Sequence, residues 1–242
     1  LIKILTGYYP SYEGSIEING QLVSMHKPMD AFHCGIEVVH QEVDTTLIPY
    51  LSVAENLLIE KLATPESGFF VQKNELYRQA KQSLQNLQLD LDVRAQVADL
   101  SLPQKQLLVI ARAISRNASF LILDEPTASL SLSDVERLFA IIRDLREKGV
   151  AFLYVSHRLA EIQEIADEVT ILRGGRQVAH FKRENFEMSK AVEAMLGSPP
   201  GELFPPREPA AQRKLVLEVH QLGQGNRLKD ICFQVFQGEI LG

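Results

Sequence analysis

One stretch constrains the fold more than any other: residues 119–134, S-F-L-I-L-D-E-P-T-A-S-L-S-L-S-D. Phe120 to Leu123 form a short apolar run that ends in Asp124, Glu125 and Pro126. Such a run reads as a strand buried on both faces whose last residues emerge at the edge of a sheet. An unpaired carboxylate beside a hydrophobic strand costs roughly several kcal/mol, so two adjacent acids need partners or a function. A magnesium ion and a polarised water would satisfy both. In that arrangement Asp124 holds the ion, directly or through water, and Glu125 orients or deprotonates the water that attacks a phosphoryl group.

The neighbouring segments supply more strands of the same kind, with helices between them. Ile36 to Val39 and Val150 to Val155 are buried-strand candidates, followed by His40-Gln41-Glu42 and by Ser156-His157. Ser52-Val53-Ala54-Glu55 has the form of a capping box and starts a helix expected to run to about Leu62. A second helix from Asn74 carries Leu76, Ala80, Leu84 and Leu87 at three-to-four spacing, and Leu89 to Val97 lead toward a third. Ser101 is the N-cap of the next, with Pro103 in its first turn and Leu107, Ile110, Ala111 and Ile114 as its buried stripe. Residues 50–118 are thus a mostly helical insert between parallel strands. Downstream, Ser133-Asp134-Val135-Glu136 is a further capping box, for a helix ended by Lys148-Gly149. A hairpin with a type I′ turn is expected about Asn19-Gly20, another hairpin about Gly174-Gly175 and a loop at 63–72, where Pro65 and Gly68 fall, and helices end at Gly7 and near Leu196. Residues 197–213 hold five of the eleven prolines, the composition of an extended linker, and strands follow at 215–219 and 231–236.

The run h-h-h-h-D-E-P-T-[AS]-x-L resembles the Walker B strand and D-loop of ATP-binding cassette (ABC) ATPases. The resemblance implies an α/β fold of the P-loop NTPase type, with a parallel core sheet, a helical subdomain and antiparallel edge strands. It also gives further residues a role. Gln41 falls where the family has its Q-loop glutamine, a contact for magnesium and the γ-phosphate. His157 falls where it has the switch histidine, which would contact the γ-phosphate and act with Glu125. Ser129 falls in the D-loop, used for contact between two nucleotide-binding domains. Leu100, Ser101 and Gln104 match the signature motif L-S-G-G-Q, but Leu102 and Pro103 replace its two glycines. Pro103 has no amide hydrogen to offer a phosphate and Leu102 adds bulk, so the composite site completed by Ser101 is expected to be weakened or non-hydrolytic.

The resemblance divides the chain into a first nucleotide-binding domain (1–196, with the helical subdomain at 50–118), the linker (197–213) and the opening strands of a second domain (214–242). Tandem domains, H-Q-E, D-E-P-T-A-S-L and S-H-R-L-x-E-I together resemble ATPase subunits of bacterial sugar importers, the ribose, galactose, arabinose and xylose group. That implies ATP and Mg2+ as ligands and a peripheral place on the cytoplasmic face of the inner membrane. The implied partners are a second nucleotide-binding domain, membrane permease subunits and, indirectly, a periplasmic sugar-binding protein. A different reading stays open, a degenerate or regulatory cassette domain that completes or braces a partner's ATP site without hydrolysis.

Composition limits the alternatives. The 31 acidic and 25 basic side chains leave a formal charge of -6, and no basic cluster points to a nucleic-acid partner. Cys34 and Cys232 lack metal-ligand spacing. The motif G-x-x-x-x-G-K-[ST] does not occur in the 242 residues. Both ends read as cut, the phosphate cradle being expected before Leu1 and, for the second domain, after Gly242. The isolated chain is therefore expected to bind ATP very weakly and not to turn it over.

Overall fold

The computed structural model describes residues 1–40, 43–59, 62, 72–87, 89–116, 118–128, 130–197, 214–225, 228–239 and 241. They form two compact units, Leu1–Ala191 and Val192–Gly242. The predicted linker falls almost wholly outside the described residues, as does most of the loop expected at 63–72.

The first unit opens with a single helical turn, α1 (Ile2–Leu5), closed by Gly7 at φ 68°. Only glycine fits there, because a Cβ would lie 2.3 Å from the backbone oxygen of Lys27. Strands β1 (Ile16–Ile18) and β2 (Gln21–Val23) pair about Asn19 (φ 52°) and Gly20 (φ 77°), the two left-handed residues of the expected type I′ turn. After α2 (Pro28–His33) comes β3 (Ile36–Val39). The Ser52 capping box forms, with Glu55 Oε2 accepting from the Ser52 N–H at 2.8 Å. Its helix, α3 (Val53–Leu57), is interrupted by a C-cap at Leu58, and Ile59 and Leu62 beyond it are again helical.

The helix α4 (Lys73–Asn86) buries Leu76, Ala80 and Leu84, the stripe its spacing calls for. The third helical stretch expected after Leu89 is instead irregular chain ending in one 3-10 turn, Val97–Asp99. Here the backbone pairs with the start of α3, the amides of Val53 and Ala54 donating to Ala95 and Val93 carbonyls at 2.9 and 3.0 Å. Tertiary pairing has overridden helical periodicity. Helix α5 (Leu102–Ser115) buries more than one stripe, including Leu107 through Ala111 and Ala113, whereas Ile114 is half-buried. It packs against α3, α4 and β3. Three cations on one side fasten it: Lys105 Nζ lies 2.8 Å from Asp44, Arg112 Nη1 donates to Thr46 O at 2.7 Å, and Arg116 pairs with Glu37 of β3 at 2.9 Å.

Strand β4 (Phe120–Asp124) is the middle of a parallel sheet ordered β3-β4-β5, with β5 (Ala151–Val155) on its other side. Leu121, Ile122 and Leu123 are 0% exposed, as a strand covered on both faces must be. By contrast β5 is only half-buried and its Ala151 is exposed. The crossover between them, α6 (Leu132–Glu147), is capped by Ser131, not Ser133, and its Val135, Leu138, Phe139, Ile142 and Leu145 reach the core. Each such side chain contributes roughly 1.5–3 kcal/mol by leaving water. The unit continues with α7 (Leu159–Ile165) and the hairpin β6 (Glu168–Arg173) and β7 (Arg176–Lys182). The division between units falls in α8 (Met188–Leu196). The second unit contains the antiparallel pair β8 (Leu215–Gln224) and β9 (Leu228–Phe236), whose described residues are exposed or half-buried throughout.

Candidate functional site

The site forms where β4 and β5 end side by side. Asp124 is register partner to Val155, and the next amide, that of Glu125, donates to Val155 O at 2.9 Å. This turns Glu125 out of the strand at φ 46°, a left-handed conformation that costs a non-glycine residue about 1 kcal/mol or more and gathers at functional positions. Pro126 and Thr127 then bury themselves, and the chain turns on.

Glu125 meets His157, the second residue beyond β5. Their Oε1 and Nδ1 atoms are 3.0 Å apart, with the histidine side chain 66% exposed and the glutamate 31%. An ionised carboxylate only accepts, so Nδ1–H donates; a neutral ring then carries its lone pair on Nε2. Asp124 is half-buried, and among the described residues its carboxylate has no hydrogen bond or ion pair. A lone half-buried carboxylate suits Mg2+, which keeps several waters and needs only one or two protein carboxylates. No group of three or more His, Cys, Asp or Glu able to hold a metal occurs among the described residues.

Ser101 and Gln104 stand at the start of α5 and bind each other. Gln104 Oε1 accepts from the Ser101 N–H at 2.9 Å and from its hydroxyl at 3.1 Å, closing a capping box. Among the described residues nothing bonds this pair to Asp124, Glu125 or His157. Gln41 and Ser129 lie outside the described residues.

Sequence reasoning missed the residues that join the two loops. Glu161, in the first turn of α7, is 9% exposed and accepts from Thr127 Oγ1 at 2.7 Å, Tyr154 Oη at 2.8 Å and Arg158 Nη1 at 3.1 Å. Burial pushes its carboxyl up, but these donors outweigh burial and hold it below the ordinary value. Burial raises the Tyr154 hydroxyl, which therefore stays a donor. The available signal was Glu161 beside Ile162 and before Ile165, an acid on a helix's apolar side. A groove of about 650 Å3 lies elsewhere, beside Tyr77, Lys81 and Arg94.

Residues 1–128 match the family model described as ABC transporter. A Burkholderia ambifaria protein named for ribose/galactose/methyl galactoside import ATP binding is 39% identical over 242 residues, all of this chain and 46% of its own length. The galactose/methyl galactoside import ATP-binding protein MglA of Salmonella typhimurium is 38% identical over 244 residues, covering all of this chain and 47% of MglA. The chain thus spans about half the length of the curated relatives it matches. Among solved structures, the ADP conformation of an ATP-binding cassette of an ABC transporter aligns with TM-score 0.66 at 23% identity, over 81% of this chain and 82% of its own. A Clostridium perfringens cbiO1 structure aligns with TM-score 0.65 at 18% identity, over 79% of this chain and 74% of that one.

Proposed function

Because the chain belongs to the ABC transporter family, we propose that it is part of an ATP-binding, ATP-hydrolysing subunit that energises carbohydrate import through a membrane permease. The observation that carries this reading is the 3.0 Å contact of Glu125 with His157 beside the unpartnered Asp124, at the ends of adjacent parallel strands. The relatives named for sugar import support the carbohydrate class. No helix among the described residues is long and apolar enough to cross a membrane, consistent with a peripheral subunit. The same reading assigns 1–196 to one nucleotide-binding domain and 214–242 to the opening strands of a second.

In this reading Asp124 holds Mg2+, which when bound neutralises charge developing on the phosphates. Glu125 and His157 satisfy each other until nucleotide arrives. His157 then turns toward the γ-phosphate, to which a ring N–H donates, and Glu125 is released to take the proton of the attacking water. Gln41 joins the metal contacts, and Ser129 the contact with the second domain.

The start of α5 supports a restriction on this activity. Pro103 supplies no amide hydrogen and the Ser101 hydroxyl is already engaged by Gln104. The composite site that Ser101 completes is accordingly weak or non-hydrolytic, while the site of Glu125 keeps its chemistry.

Calorimetry with Mg-ATP tests the reading, on this chain and on a chimera in which it replaces the matching stretch of the Salmonella relative. The chain alone is expected to bind very weakly and the chimera to bind. In the chimera Glu125→Gln should keep binding and lower turnover by about 10²–10⁴-fold, the usual range for a general base. Full turnover in that variant would refute the assignment of Glu125.

A further inference from the structure

Glu161 is the most completely bonded carboxylate near the acid–histidine pair, and its donors come from two separate segments. Thr127 lies two residues beyond Glu125. Tyr154, Ser156 and Arg158 lie within three residues of His157. Oε2 accepts from Thr127 Oγ1 (2.7 Å), Tyr154 Oη (2.8 Å) and Ser156 Oγ (3.5 Å), and Oε1 from Arg158 Nη1 (3.1 Å). Arg158 Nη1 also reaches Thr127 O at 3.3 Å, and its backbone amide donates to Ser156 Oγ at 3.0 Å. One buried carboxylate therefore clasps the loop that carries Glu125 to the loop that carries His157.

Bonds to an ionised acceptor are roughly twice as strong as neutral ones, and at a buried site they are exposed to little competing water. Among the described residues the two loops otherwise meet through the Arg158–Thr127 O bond, the Glu125 N–H bond to Val155 O and the Glu125–His157 contact itself. The latter must open if either group is to act on nucleotide. Something else has to keep the loops in register while it is open.

We propose that Glu161 is a positioning residue, holding Glu125 and His157 at working distance through Thr127 and Arg158. It acts through these two residues and not on the nucleotide itself. The proposal rests on the hydrolytic reading of Glu125 and His157.

Two measurements test it. In the chain itself, hydrogen exchange of the Glu125 and Arg158 amides in Glu161→Gln should accelerate about 10-fold or more relative to amides of β3 and β4, the pattern of local opening. In the chimera, Glu161→Gln should lower kcat by about 10²-fold with KM changed less than about 2-fold, since misplacement by about 1 Å costs that much. Thr127→Val, which removes one donor and leaves the carboxylate, should show the same pattern more weakly. Uniform acceleration of exchange across the sheet would overturn the proposal, because Glu161 would then be a stability residue only. So would an unchanged kcat in a folded variant, or a loss of kcat that merely follows the fraction folded. If the chimera has no turnover, the exchange experiment decides. If Glu125→Gln leaves turnover unchanged, the hydrolytic reading fails while the exchange result still reports on the clasp.

Discussion

The ends of β4 and β5 and the start of α5 carry the polar residues of one proposed reaction, yet they are held in opposite ways. At the strand ends, donors from two distant segments converge on buried Glu161. At the start of α5, Ser101 and Gln104, three residues apart, satisfy only each other and stay near solvent. What fastens α5 lies farther along, in Lys105, Arg112 and Arg116. A local cap fixes its own turn, whereas a long-range carboxylate fixes the distance between two loops.

Stability should separate the two first and most strongly. Glu161→Leu strands the Thr127 and Tyr154 hydroxyls and removes a charged acceptor, a loss of about 3 kcal/mol. Urea unfolding followed by far-ultraviolet dichroism would measure it. A loss below about 1 kcal/mol would mean that the clasp carries no more than an ordinary cap, and the contrast would collapse.

Acid sharpens the same contrast. The Glu161 carboxyl is held below its ordinary value of 4.5 in the folded chain, so its contribution is present above that value and is lost as pH falls through the folded one. The stability difference between the native chain and Glu161→Gln, about 2 kcal/mol at neutral pH for a charged acceptor, should therefore be constant near pH 7 and shrink below pH 4.5. Glu55 offers a second titratable case, its carboxyl lowered by the side-chain and backbone bonds of Ser52. Gln104 occupies the equivalent place in the α5 box and cannot titrate. Variants of Gln104 should show no such acid dependence.

These differences explain what could be read from sequence. The capping box of Ser52, the N-cap of Ser101, the I′ turn at Asn19-Gly20 and the buried strand ending at Asp124 depend on residues within a few positions of one another, and all were legible. The choice between Ser131 and Ser133 was not, because S-x-x-acid occurs in both registers; the structure uses Ser131 with Asp134 and leaves Leu132 86% exposed. Leu89 to Val97 carried helical spacing, but their backbone groups were taken by the start of α3. The acid pair was read from its place at the end of a buried strand and His157 from the family resemblance, while Glu161 stood in the S-H-R-L-x-E-I pattern without a role of its own. Its partners lie 34 and 7 residues away at Thr127 and Tyr154, a separation no local pattern encodes.

The cap at α5 should respond on a smaller scale. Ser101→Ala removes one side of an exposed box, worth about 1 kcal/mol, and leaves the three cationic fastenings intact. A much larger loss would show that Ser101 has long-range partners and belongs with the clasp.

The smallest effect is expected one turn farther along α5. Gln106 is 4% exposed, its Nε2 has no partner among the described residues, and it borders a pocket of about 10 Å3 with Pro103, Leu107, Leu130 and Leu138. That volume is at the lower limit for a single water, so the amide is buried at a cost that water scarcely relieves. An unsatisfied buried donor costs about 1–3 kcal/mol, whereas an apolar group of similar shape costs nothing in hydrogen bonds. Gln106→Met should accordingly leave stability unchanged within about 0.5 kcal/mol, or raise it, with urea midpoints as the readout. Where Glu161 loses stability because every one of its bonds is made, Gln106 should lose none because its own is not. A loss above about 1 kcal/mol would place a bonded partner at Nε2 and make the α5 end of the comparison a second polar clasp.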